Sequence, residues 1–221
     1  MRLIRIPGVY RPQADTHLLI AALREARIPA GARVLDLCTG SGAIAVAAAC
    51  NGAGEVIAVD ACRRAVLTAM LNTRLRRLPV RVHLGDVLGG MIGAPFDAVL
   101  VNPPYVPCDP DGSPTRGAAR AWDAGPDGRR FLDSLCAAAP KLLADGGTLL
   151  VVHSCLCGPE LTLAQLRGTG LKASVVARSV QPFGPVLRAR SLFLERAGLI
   201  APGQRHEELV VIRADRIDHV E

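Results

Sequence analysis

The sequence predicts an α/β fold with a seven-stranded, mainly parallel sheet and helices on both of its faces. Short β-branched, apolar runs alternate with longer stretches of Ala, Leu and Arg at helical spacing, which indicates βαβ units. Several of the short runs are apolar throughout, as strands are when both faces of a sheet are covered. No long helical stretch separates the last two runs, so we expect a C-terminal antiparallel strand.

The expected strands follow the apolar runs, at 33–37, 56–59, 80–84, 98–101, 148–152, 173–179 and 208–212. The expected helices cover 16–26, 43–50, 63–78, 129–143 and 160–168, and Asp15 or Thr16 is the expected cap of the first. A chain of 221 residues, half of them hydrophobic, suits one domain over 1–221. We assign residues 1–30 to an N-terminal segment and helix. Residues 181–206 are a divergent insertion before the last strand, which forms either a packed surface helix or a substrate-contacting flap.

Charge, cysteine content and the start of the chain limit the classes of function. The net charge of +6 and pI of about 9.2 suit an acidic partner such as RNA, DNA or a ribosome-associated protein. Nearly all of the positive charge is arginine, however, and an arginine-rich composition produces it without any nucleic-acid role. The seven cysteines form no CxxC pair, so we expect no metal and a reducing cytoplasm. Arg5 and Pro7 interrupt the start before a signal-like apolar stretch forms, and we expect no membrane span.

A glycine-rich loop follows the first predicted strand. The strand ends in Asp36, and Thr39, Gly40 and Gly42 then lead into an alanine-rich helix. The two glycines permit a tight turn and the close approach of a ligand, as in Rossmann-like folds. A carboxylate at Asp36 would repel a pyrophosphate but attract an ammonium and a sulfonium. We therefore predict a site for S-adenosyl-L-methionine rather than for a dinucleotide.

Two further acidic positions extend this nucleoside site. Asp60 ends the second predicted strand, where a carboxylate can bind ribose hydroxyl groups, and Ala61 follows it. Asp86 follows the third strand, where it can accept from the adenine amino group with Val87 against the ring. A turn role for Asp86 is the alternative.

The stretch from Phe96 to Tyr105 indicates the chemistry. An apolar strand delivers Asn102, Pro103, Pro104 and Tyr105 to the carboxyl edge of the sheet, where ligands bind in α/β folds. A planar amide or amino nitrogen is a weak nucleophile because its lone pair is delocalised. The side-chain oxygen of Asn102 and the carbonyl oxygen of Pro103 can accept from its two N–H bonds. The prolines stiffen the turn and Tyr105 offers a stacking face, so we expect these four residues to be catalytic.

Taken together, these motifs resemble the HemK-type protein-glutamine N5-methyltransferases, especially the short branch of that family. The resemblance runs from Gly8 to Val152 and includes two segments besides the motifs above, at 8–19 and 121–130. It implies a class I methyltransferase fold and places the first of those segments over the cofactor. The cofactor contacts that the motifs and the resemblance predict are Tyr10, Pro12, Thr16, Asp36, Thr39, Gly40, Gly42, Asp60, Ala61, Asp86, Val87 and Asn102.

The resemblance implies methylation of the glutamine in the Gly-Gly-Gln motif of a translation release factor. It also allows a small activating subunit, which some members of the branch require. The chain departs from the family pattern at two places. Asp123 and Ala124 stand where the family usually has a second glycine, and the 181–206 segment is long and matches less well.

Three other functions stay open on the sequence. A nucleic-acid methyltransferase acting on adenine N6 or guanine N2 faces the same geometric problem once the base is flipped out. A small-molecule N-methyltransferase is compatible with the divergent 181–206 segment. A non-catalytic nucleoside-binding scaffold would not need Asn102.

Overall fold

The computed structural model describes residues 3–85, 95–109 and 121–217. The strands are β1 (Arg33–Leu37), β2 (Glu55–Asp60), β3 (Val80–Leu84), β4 (Phe96–Val101), β5 (Leu143–Ser154), β6 (Lys172–Pro182) and β7 (His206–Asp215). The helices are α1 (Ala14–Glu25), α2 (Ala43–Cys50), α3 (Arg63–Arg74), α4 (Arg130–Leu142), α5 (Pro159–Gly168), α6 (Pro185–Ala189) and α7 (Ser191–Arg196).

The strands form one sheet in the order β3-β2-β1-β4-β5-β7-β6. Strands β1 to β5 pair in parallel, and β7 pairs antiparallel with both β5 and β6. The predicted mainly parallel sheet with a C-terminal antiparallel strand is therefore confirmed. The chain leaves β1 toward β2 on one side and returns beside it as β4. Ligands bind in α/β sheets at such a switch point, at the carboxyl ends of the strands.

Two apolar cores cover the two faces of this sheet. Along β1, Leu35 and Leu37 pack on one side with residues of α4 and α5, and Val34 packs on the other with residues of α1 and α2. Burying one leucine side chain contributes about 1.5–3 kcal/mol. Because strands covered on both faces have no polar side, their apolar sequence runs follow from this arrangement.

Two expected helix ends differ from the observed ones. Helix α1 begins at Ala14 after the extended residue Gln13, and no side chain caps it. The expectation of a cap at Asp15 or Thr16 is wrong because both residues are buried in the first turn. Helix α3 ends at Arg74, before the expected residue 78, because the N–H groups of residues 76 and 78 both donate to the carbonyl oxygen of residue 73, at 3.2 Å each.

In the described ranges 3–85, 95–109 and 121–217, none of the helices has the length and apolar character needed to cross a membrane.

Candidate active site

The carboxylate of Asp36 organises the loop between β1 and α2. Asp36 is fully buried, and its Oδ2 accepts hydrogen bonds from Thr39 Oγ1 at 2.6 Å and from the backbone N of Ala45 at 2.9 Å. One oxygen therefore connects the strand end, the loop and the first turn of α2. This organising role is additional to the ligand contact predicted from the sequence.

The second oxygen of Asp36 has a different environment. Its Oδ1 is buried and accepts no hydrogen bond from the described residues of the chain. The pKa of Asp36 is raised to about 7, mainly by burial and also by the charge of Asp60, against the lowering effect of the bonds from Thr39 and Ala45. A buried acceptor without a partner is costly, so Oδ1 fits the cationic group of a bound ligand.

Asp60 holds the other side of the same loop. Its Oδ2 accepts from the backbone N of Gly40 at 2.9 Å, and its Oδ1 accepts from the backbone N of Cys62 at 2.8 Å. Gly42 has a φ of 80°, and a Cβ there would lie 3.1 Å from Ala69 of α3. The glycine is therefore required both by the turn and by the close approach of a neighbouring helix.

The side-chain amide of Asn102 is oriented from α1. Asn102 is the first residue of the acceptor loop, which we define as residues 102–108, and it directly follows β4. Its Nδ2 donates to Thr16 Oγ1 at 3.2 Å. Because the two polar atoms of an amide point in different directions, this bond turns the Asn102 oxygen away from Thr16.

The buried carboxylate of Asp15 joins the N-terminal segment to the acceptor loop. Its Oδ2 accepts from the hydroxyl of Tyr10 at 2.7 Å and from the hydroxyl of Tyr105 at 3.0 Å. Its Oδ1 accepts from the backbone N of Thr16 at 2.5 Å. Burial, followed by the charge of Asp15, raises the pKa of both tyrosines, so both hydroxyls keep their protons as donors. The sequence patterns did not single out Asp15 as a site residue.

Asn72 of α3 ties the start of the chain to the glycine loop. It is fully buried, and its amide exchanges two hydrogen bonds of 2.8 Å with the backbone of Ile4. Its Nδ2 also donates to the carbonyl oxygen of Ser41 at 2.9 Å. The N-terminal segment is thus held at both ends, at the glycine loop and at the acceptor loop.

A second chain segment runs beside the acceptor loop. The backbone N of Val106 donates to Trp122 O at 2.7 Å, and the backbone N of Ala124 donates to Val106 O at 3.1 Å. The backbone N of Cys108 donates to Gly125 O at 2.8 Å. The backbone of the acceptor loop is therefore paired with residues 122–125, and these hydrogen bonds limit the movement of the loop.

The backbone carbonyl group of Tyr105 packs against Gly128 and Cys157, and Arg129 binds the backbone of Cys157. The thiol of Cys157 donates to Tyr105 O at 3.0 Å, and the backbone of Gly128 packs closely against that same carbonyl group. The guanidinium of Arg129, whose side chain is 5% exposed, donates to Thr162 Oγ1 at 3.1 Å and to the carbonyl oxygen of Cys157. Buried guanidinium groups require such a set of acceptors. Cys157 was outside the predicted site because its sequence context shows only an apolar run.

His153 is buried and Glu207 is half-buried, and the motifs indicated neither of these polar residues. Glu207 Oε2 accepts no hydrogen bond from the described residues, and burial raises the pKa of Glu207 while a bond from Ser154 opposes the rise. His153 is fully buried, and burial lowers its pKa to about 4, so its ring is neutral near pH 7. Strand β7 is antiparallel, so its first residues lie at the edge where the parallel strands end. An acid at the start of a final antiparallel strand is the signal that could have identified Glu207.

The remaining predicted site residues are placed as follows. Pro12 is half-buried just before α1, and Pro103 and Pro104 are buried and half-buried between Asn102 and Tyr105. Ala61 is exposed directly after β2. The predicted adenine contacts, Asp86 and Val87, lie outside the described residues.

Known proteins resemble this chain in sequence and in fold. A model of the methyltransferase small domain matches residues 1–110. The chain is 33% identical over 177 residues to a protein of Methanocaldococcus jannaschii named as a protein N5-glutamine methyltransferase, a match that covers 80% of this chain and 88% of that one. The chain belongs to the HemK-type protein N5-glutamine methyltransferases. The resemblance predicted from the sequence is thereby confirmed.

Other relatives differ in length from this methyltransferase. The release factor glutamine methyltransferase of Mycolicibacterium smegmatis is 36% identical over 155 residues, which cover 66% of this chain and 54% of that enzyme. This chain thus spans about half the length of that bacterial relative. Among solved structures, the Mtq2–Trm112 complex of E. cuniculi, described as responsible for methylation of the termination factor eRF1, matches with a TM-score of 0.65 and 22% identity over 95% of this chain and 99% of that one. At this identity the structural match supports the fold of the methyltransferase alone.

Substitution of Gly128 should destabilise the methyltransferase. A Cβ at Gly128 would lie 2.8 Å from the Cys157 sulfur and even closer to Tyr105 O, at a φ of 75°. We expect Gly128→Ala to lower the free energy of unfolding by about 1–3 kcal/mol, measured by urea denaturation. Gly170→Ala is the matched control, since Gly170 also has a positive φ, at 88°, but a Cβ there meets no atom within 4 Å. Equal denaturation midpoints for both variants would contradict the close packing of Gly128 against the Tyr105 carbonyl group and Cys157.

Proposed function

We propose that this methyltransferase transfers a methyl group from S-adenosyl-L-methionine to the side-chain nitrogen of a glutamine, in the Gly-Gly-Gln motif of a translation release factor. The orientation of Asn102 carries this proposal. Its amide is held by Thr16 at 3.2 Å, at the carboxyl end of β4. The names of the relatives from Methanocaldococcus and Mycolicibacterium support the same acceptor.

The residues around the glycine loop fit S-adenosyl-L-methionine. The buried Asp36 Oδ1 has no hydrogen-bond partner among the described residues, and it would accept from the ammonium group. Asp60, at the end of β2, would bind the ribose hydroxyl groups through lone pairs left by its two backbone bonds. When bound, S-adenosyl-L-methionine supplies an electrophilic methyl group on a sulfonium.

The acceptor loop would hold the glutamine amide in one plane. Asn102 Oδ1 and the carbonyl oxygen of Pro103 would accept from its two N–H bonds and withdraw the positive charge that develops on nitrogen. Tyr105, whose hydroxyl is fixed by Asp15 at 3.0 Å, would present its ring to the amide. A strong general base is not required, because the proton can leave to water after the transfer.

We propose two partners and one location for the protein. The release factor is the substrate, and a small activating subunit is a partner that the family resemblance implies. Leu67 and Leu71 of α3 and Leu75 just after it are exposed, four residues apart, and offer an apolar surface for such a subunit. Because release factors act on ribosomes, we place the protein in the cytoplasm.

A labelled methyl donor tests the acceptor. With isotope-labelled S-adenosyl-L-methionine, the protein should label a peptide that contains Gly-Gly-Gln and leave unlabelled the same peptide with Glu in place of Gln. Asn102→Ala should lower the transfer rate by about 100- to 1000-fold, because an acceptor for the developing charge is lost, while cofactor affinity measured by calorimetry stays almost unchanged.

A cell extract widens this test to other acceptors. Label that protease releases supports a protein substrate. Label that nuclease releases instead would replace the proposal with base methylation. Label that survives both treatments in small molecules would point to a metabolite.

Cofactor affinity should depend on the ionisation of Asp36. Because its pKa is raised to about 7, the carboxyl is largely protonated below that pH in the free protein. If the ionised form binds the ammonium, affinity should fall by about tenfold for each pH unit below 7. Calorimetry between pH 5 and 8 measures this slope. Asp36→Asn should bind more weakly at pH 8 and lose the slope, and a wild-type affinity independent of pH would remove Asp36 from the ammonium site.

A further inference from the structure

The 181–206 segment packs against the acceptor loop. Its helices α6 and α7 bury a small apolar cluster that is separate from the two main cores, and its buried members are Phe183, Leu187, Leu194 and Ile200. Val106 of the acceptor loop and Leu156, just after β5, pack onto this cluster. The segment thus forms a packed helical element, and one of its contacts is the loop that follows Tyr105.

Arg190, between α6 and α7, makes the polar contacts of this element. Its Nη2 lies 2.6 Å from Asp123 Oδ1, and its Nη1 donates to the carbonyl oxygen of Pro107 at 3.0 Å. The Asp123 side chain is 7% exposed and the Arg190 side chain 23%. One guanidinium therefore binds the acceptor loop and the chain segment paired with it.

The backbone around Asp123 connects this ion pair to the acceptor loop. Val106 and Asp123 form a parallel bridge, and Trp122 and Ala124 on either side of Asp123 exchange backbone hydrogen bonds with Val106. Pro107 follows Val106 directly. Arg190 therefore binds both strands of a bridge that begins one residue after Tyr105.

The 181–206 segment, which matches the resembled family less well, supplies the arginine of this contact, and Asp123 supplies the carboxylate. Removing one partner of a buried ion pair is costly, so the substitution of Arg190 should disturb the backbone that Asp123 belongs to.

We propose that Arg190 is a positioning residue for the acceptor loop, which it holds through Asp123 and Pro107 in the conformation that receives the substrate amide. This proposal rests on the proposed function of the same loop. As a positioning residue, Arg190 acts through Asp123 and Pro107. Its effect therefore falls on methyl transfer to the acceptor and leaves the glycine loop unaffected.

Kinetics of the full-length chain test this role. Arg190→Ala should lower kcat with the Gly-Gly-Gln peptide by about 10- to 100-fold, because a small displacement of aligned groups has that effect, while calorimetric affinity for S-adenosyl-L-methionine is unchanged. Arg188→Ala, which removes an exposed arginine two residues away, should behave as wild type. Arg190→Lys should recover part of the loss, since lysine keeps the charge but lacks the fixed fork that reaches both partners.

The fluorescence of Trp122 gives a readout that does not depend on activity. It is the only tryptophan in the chain and precedes Asp123 directly. Its emission should shift in Arg190→Ala and in Asp123→Ala. The shift in the double variant should be no larger than the larger of the two single shifts, because both substitutions break the same contact. If the wild-type chain fails to methylate the peptide, the proposed function fails, and the Trp122 emission of these variants still tests the positioning role.

Three results would overturn the proposal. The first is wild-type kcat and wild-type Trp122 emission in Arg190→Ala. The second is a double variant in which the effects of the two substitutions on kcat and on the Trp122 emission add up. The third is a loss of cofactor affinity as large as the loss of kcat in both Arg190→Ala and Arg190→Lys, which would indicate general unfolding.

Discussion

The buried carboxylate of Asp15 accepts hydrogen bonds from Tyr10 of the N-terminal segment and Tyr105 of the acceptor loop. A carboxylate taken out of water needs donors of this kind, since burial without them is costly. Asp15 also accepts from the backbone N of Thr16, whose hydroxyl receives a bond from Asn102. The placement of the acceptor loop therefore depends on the first turn of α1.

The N-terminal segment, which leads into the first turn of α1, contacts both the glycine loop and the acceptor loop. The N-terminal segment reaches the glycine loop through Asn72, which contacts both Ile4 and Ser41, and reaches the acceptor loop through Asp15. The parallel register brings the strand ends themselves together, with Leu37 opposite Val101. The proposed donor and acceptor sites are thus adjacent because of the sheet, and the N-terminal segment contacts both.

Three parts of the chain that are distant in sequence contact the acceptor loop. Cys157, after β5, donates to Tyr105 O, the backbone at Val106 pairs with the segment around Asp123, and Arg190 binds Pro107. A methyl transfer to a delocalised nitrogen depends mainly on alignment, so the proposed role of this loop requires it to be rigid. Glu207 adds a half-buried acid at the same edge, because the antiparallel β7 begins where the parallel strands end.

The sequence by itself determined the alternation of strands and helices, the glycine loop after Asp36 and the position of the Asn102–Tyr105 motif after β4. These are local features, since turn chemistry and apolar periodicity depend on neighbouring residues. Only the tertiary structure decided the roles of Asp15, Asn72 and Arg190. Their partners lie 67 to 90 residues away in the chain, at Tyr105, Ile4 and Asp123, and no local pattern records such pairs. Side chains that act through distant contacts become visible only when the sheet brings those segments together.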